Sequence, residues 1–106
     1  MTIYHKLVRD KIPTLILQEG KTYHAHIASG SELEEALLSK LDEEVREFRA
    51  SKDPKELADI LEVVYRLAHC HHVTDEELEA LRREKEKEKG AFYRGIILES
   101  VEEKES

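Results

Sequence analysis

Glu44-Val45-Arg46-Glu47 and, after a break at Ser51-Lys52-Asp53-Pro54, Glu56-Leu57-Ala58-Asp59 are the stretch on which the fold turns. Each half is a pair of carboxylates spaced i, i+3. On a helix that spacing puts both side chains on one face, about one turn apart. The break is short enough to force an antiparallel helical hairpin. Two such helices bring four carboxylates towards one point, and four oxygen anions call for a hard cation, Mg²⁺ before Mn²⁺.

Working outward, the helices are written in caps and stripes. Ser31-Glu-Leu-Glu34 reads as a capping box opening a helix to about Ala50. Leu37, Leu41, Val45 and Phe48 form its apolar stripe. Lys40, Glu44, Glu47 and Ser51 form the row beside it, at the edge of the buried face. Asp53 caps the next helix, with Pro54 at its first position and Glu56 at its third. Leu57, Ile60, Leu61, Val64, Leu67 and Ala68 predict a wide apolar face, with Glu56, Asp59 and Val63 in the row next to Ile60. Glu62 and Arg66 are spaced for an external i, i+4 pair. Thr74-Asp-Glu-Glu77 is a second capping box, and Gly90 stops the helix it opens.

The expected architecture is all-α, an antiparallel bundle with long helices near 31–50, 54–71 and 75–89. A short helix runs from Pro13 to about Gln18, and Thr22–Ile27 is weakly alternating and extended. No repeat or boundary divides residues 1–106, so one domain is expected, with 99–106 as a frayed tail. Three long helices of this polarity bury little alone, so a homo-oligomer, dimer or tetramer, is expected, its Leu-rich faces meeting across a symmetry axis.

The composition narrows the function. Of 106 residues 39% are charged and 40% hydrophobic, and the net charge of −7 argues against a nucleic-acid polymer as partner. No run of 18 apolar residues occurs, so no membrane span is expected. The opening residues do not read as a secretory signal, and a lone Cys70 fits a reducing, cytoplasmic setting. His5, Lys6, Arg9 and Lys11 crowd seven residues near the start. They read either as a solvated arm docked by Leu7 and Ile12 or as a clamp on phosphate oxygens.

Each acid also has an ordinary explanation. Glu44 can pair with Lys40, Asp59 with Lys55, and Glu56 can serve only as the N3 partner of the Asp53 cap. Lys85 and Lys89 equally suit a solvated helix end. His69-Cys70-His71-His72 suggests zinc, but adjacent helical residues diverge and no second cluster completes a tetrahedral set. No Glu has a His three residues on, which sets aside the di-iron bundle pattern. There is no Gly-rich phosphate loop and no GxSxG.

Taken in order, Lys6-Leu-Val-Arg-Asp-Lys-Ile-Pro13, Glu44-x-x-Glu47, Glu56-x-x-Asp59 and Lys85-x-x-x-Lys89-Gly90-Ala-Phe92 resemble the MazG-like, all-α nucleoside triphosphate pyrophosphohydrolases. The likeness covers residue 4 to about 98 and is greatest to the short branch related to phosphoribosyl-ATP pyrophosphohydrolase. It implies hydrolysis of a nucleoside triphosphate to the monophosphate and pyrophosphate. It implies Glu44, Glu47, Glu56 and Asp59 as Mg²⁺ ligands, with Glu47 or Glu56 orienting the attacking water. Lys6, Arg9, Lys11, Lys85 and Lys89 are the candidates for binding the polyphosphate. Eight residues separate Glu47 from Glu56, fewer than in many members, and that segment often contributes to the base pocket. Two alternatives stay open: the phosphoribosyl-ATP step of histidine biosynthesis, and a non-catalytic helical module that binds a nucleotide or a protein.

Overall fold

In a computed structural model, which describes residues 1–2 and 4–104, the chain is all-helical. Among the described residues four helices follow one another: α1 Ile12–Gln18, α2 Gly30–Ser51, α3 Pro54–Cys70 and α4 Asp75–Lys89. Among the described residues there is no strand, so Thr22–Ile27 joins no sheet. The frayed-tail expectation covers 99–106. Residues 99–104 lie outside any helix, and 105–106 fall outside the described residues.

Lys52 and Asp53 make the tight α2–α3 turn. Lys52 adopts a left-handed conformation (φ 58°), and its N–H donates to the Phe48 carbonyl at 2.8 Å, ending α2. Asp53 Oδ1 then accepts from the Lys55 N–H at 2.9 Å, and Pro54 opens α3. The two helices pack against each other along their length, whereas α3 and α4 meet more briefly. Thr74 and Glu77 form the reciprocal capping box at the start of α4.

The start of α2 differs from the expectation. Gly30 enters it at φ 57°, which places Ser29 at the cap and Ser31 already within the helix. Glu34 does not reach back to a cap; it accepts from His71 across the hairpin at 2.5 Å. The buried face of α3 is also turned from the expected one. Val63, expected beside the apolar stripe, is buried, while Leu57 and Leu61 are about half exposed. Glu62 and Arg66 form no ion pair; Arg66 donates instead to the Cys70 sulfur at 3.7 Å.

Among the described residues, only Leu37 and Val63 are buried apolar residues. The accessible surface is 10135 Å², whereas a compact monomer of this mass exposes about 6,100 Å². The radius of gyration is 19.3 Å, against about 13 Å for a compact domain of this length. A single copy therefore leaves much of its apolar surface uncovered. No helix among the described residues is long and apolar enough to cross a membrane.

Candidate metal centre

The hairpin's register brings the acids together. Glu34 on α2 meets His71 just past α3, and one helical stretch further on, Glu44 meets Asp59 and Glu56. The pairing of earlier with later residues is that of two antiparallel helices. Glu44, Glu56 and Asp59 each offer a carboxylate oxygen within 4.8 Å of the others, and so do Glu43, Glu44 and Glu47. Glu44 belongs to both groups and joins them.

Glu44 is only 5% exposed. Its Oε1 lies 3.3 Å from Lys40 Nζ, but its Oε2 is buried with no hydrogen-bond partner among the described residues. A buried carboxylate oxygen without a donor is costly, and native proteins rarely leave one so unless an ion or water completes it. Burial pushes the Glu44 carboxyl above the usual carboxylate range. Lys40 opposes that shift, and Glu47 and Asp59 add to it. Glu56 is also raised, by desolvation and then by Glu47, through both charge and a hydrogen bond. The donor set is all oxygen, closely spaced and short of positive charge, which fits Mg²⁺ or Mn²⁺ and not zinc.

Three cations edge the cluster. Arg9 reaches Asp59 at 2.5 Å across fifty residues of sequence, and this hydrogen bond holds the guanidinium's pKa above its ordinary value. Lys6 lies 3.2 Å from Glu43, and Lys40 lies 3.3 Å from the same carboxylate. Burial alone would raise the Glu43 carboxyl, but the bonds from Lys6 and Lys40 outweigh it and hold it low. Lys40, in turn, is raised: burial works against its charge, and Glu44 and Glu43 overcome that.

All four predicted carboxylates thus stand in these two overlapping groups, and Lys6 and Arg9 touch their edge. Lys11, Lys85 and Lys89 are exposed and, among the described residues, form no ion pair with the cluster. Asp59 pairs with Arg9 and not with Lys55. The Lys40–Glu44 pair does form, yet it engages one oxygen and leaves the other bare. Glu43 and Lys40 were missed as site residues. Their i, i+3 spacing is visible in the sequence, but the Lys6–Glu43 contact that ties them to the arm is not.

Two histidines at the far end of the hairpin, His69 and His71, each have their own acidic partner. His69 meets Asp75 at 2.6 Å, capping the α3–α4 turn, and His71 meets Glu34. Among the described residues they join no cluster of three metal-competent side chains.

Comparison with known proteins adds one relative. An uncharacterised protein of Mycolicibacterium smegmatis (strain ATCC 700084 / mc(2)155) is 50% identical over 46 residues, which is 43% of this chain and 47% of that protein. The chain therefore matches about half the length of that relative. No family model matches the sequence. No solved structure matches it either.

Proposed function

We propose that the chain is a cytoplasmic, Mg²⁺-dependent pyrophosphohydrolase of the MazG-like type, splitting a nucleoside triphosphate into the monophosphate and pyrophosphate and so clearing unwanted nucleotides. One observation carries this reading. Glu44, Glu56 and Asp59 converge from two helices around a buried carboxylate oxygen that no protein group satisfies. Glu47, next to Glu44 and Glu56, completes the ligand set.

Mg²⁺, when bound, supplies Lewis acidity towards the phosphate oxygens. The protein's own contribution is positional. Glu44, fixed by burial and Lys40, and Asp59 would hold the cation where two helices meet. Glu56 stands beside Glu44 and Asp59 at the mouth of the cluster and suits the role of orienting water and taking its proton. Glu47 beside it is the alternative for that role. The water oxygen bonds to the α-phosphorus, the bond from that phosphorus to the bridging oxygen breaks, pyrophosphate leaves with that oxygen, and the water's proton passes to the carboxylate. Lys6 and Arg9, at the rim, and Lys11, Lys85 and Lys89, on mobile-length side chains further out, bind the departing pyrophosphate.

The same reading includes a homo-oligomer, dimer or tetramer. Leu57 and Leu61, one turn apart on α3 and half exposed, are the face that a second copy would cover. Pyrophosphate release from a panel of nucleoside triphosphates and phosphoribosyl-ATP, with Mg²⁺ and with EDTA, tests the proposal. Release that depends on Mg²⁺ supports it, and the better substrate class separates nucleotide clearance from histidine biosynthesis. Release that survives EDTA, or none from any substrate, overturns it.

A further inference from the structure

The segment before α1 makes two contacts with the acids, and both use groups that a cation would need. Arg9 occupies Asp59, and Lys6 occupies Glu43. The hold on this arm is otherwise slight. Among the described residues, α1 makes no close backbone approach to another helix, and only Leu7, Ile12, Pro13 and Ile16 in this region are even half-buried. Lys6 also lies 6.0 Å from the Tyr4 ring centre, within the arm itself.

Charge explains why the arm docks here. The two acid groups hold five carboxylates, Glu43, Glu44, Glu47, Glu56 and Asp59. Lys6, Arg9 and Lys40 stand against them, leaving two formal negative charges, the charge of one divalent cation. Arg9 bonds one oxygen of Asp59, and a cation that approaches this carboxylate meets the guanidinium's positive charge, so the two positive groups compete for it.

We infer that residues Lys6–Arg9 are a counter-ion strap that competes with the divalent cation for Asp59 and Glu43, so that metal binding unfastens the arm and frees Arg9 for a phosphate oxygen. This rests on the metal reading above. The strap keeps the acids from repelling one another while the site is empty. It also links two events: the guanidinium is released to the polyphosphate only once the cation is in place. Lys40 is not part of the exchange. It comes from α2 itself, its side chain is 18% exposed, and it stays beside Glu44 throughout.

Mn²⁺ binding by calorimetry tests this on the full chain, comparing wild type, Arg9→Gln and Glu44→Gln, with tryptic cleavage after Lys6 and Lys11 as a second readout. Arg9 is more than half exposed, so its replacement leaves the helices intact by circular dichroism. The strap predicts that Arg9→Gln binds Mn²⁺ about two- to fivefold more tightly, the range set by a half-exposed ion pair. It also predicts that Mn²⁺ accelerates cleavage of the wild-type arm, and that the Arg9→Gln arm is cut rapidly with or without the ion. Metal binding that Glu44→Gln abolishes but Arg9→Gln leaves unchanged or weakens overturns the strap and keeps the metal centre. Wild type that binds no Mn²⁺ overturns both.

Discussion

Replacing Glu44 with glutamine should raise the stability of the metal-free protein while removing its response to metal. The side chain keeps its shape. In the wild type, Glu44 Oε2 is buried without a donor, a state that costs about 1–3 kcal/mol. Lys40 on the other oxygen offsets part of that cost. The glutamine amide carries no charge, so repulsion from Glu47 and Asp59 falls. Its N–H₂ can also donate towards carboxylate oxygens that lie within 4.8 Å of this position. A net gain of about 1 kcal/mol in EDTA corresponds to a Tm higher by about 4–8 °C for a domain of this size.

Mg²⁺ should reverse the order. At a hundred times its Kd, the ion adds about 2.7 kcal/mol to the wild type and little to the variant. The pH dependence has a definite sign. The folded Glu44 carboxyl keeps its proton above the ordinary value of 4.5. Its contribution to stability is therefore complete below about 4.5 and is lost as pH rises through the folded value. The variant's advantage in EDTA should be largest at neutral pH and close as the pH falls towards 4.5. Thermal melts followed by circular dichroism, in EDTA and in Mg²⁺ at several pH values, check all three statements. A variant that is less stable than wild type in EDTA, yet still stabilised by Mg²⁺, would refute the reasoning.

Three further outcomes are expected. Asp59→Asn should abolish pyrophosphate release with an unchanged helical spectrum; a near-normal rate would remove Asp59 from the site. Thr74→Ala breaks the capping box of α4 and should cost about 1 kcal/mol in denaturant melts, with metal binding unaffected. Leu57→Lys with Leu61→Lys should shift sedimentation towards the monomer. These two side chains are about half exposed, so sedimentation that does not change would remove this face as an interface.

Much of this fold is written locally. Asp53-Pro54 and Thr74-x-x-Glu77 specify helix starts through bonds made within three residues, and both form as the sequence implies. The acid pairs are legible because i, i+3 spacing on two helices joined by a two-residue turn leaves few other places for them. Ser31-x-x-Glu34 has the same local pattern and fails, because Glu34 finds a partner in His71, 37 residues away, and Gly30 turns the chain before the cap. The α3 face is misjudged for a related reason. Leu57 and Leu61 are the more hydrophobic residues, but the Lys52 turn sets the rotation of α3, and it directs Val63 and the acids towards α2. The arm's ion pairs span 37 and 50 residues and leave no periodic trace.

The central claim is that carboxylates from α2 and α3 share one divalent ion. Crystals grown with Mn²⁺ and measured for anomalous scattering locate such an ion directly. A peak is expected between Glu44, Glu56 and Asp59, with a Glu44 oxygen bound to it. A map with no peak among these residues, at Mn²⁺ concentrations that saturate any binding in solution, would contradict it.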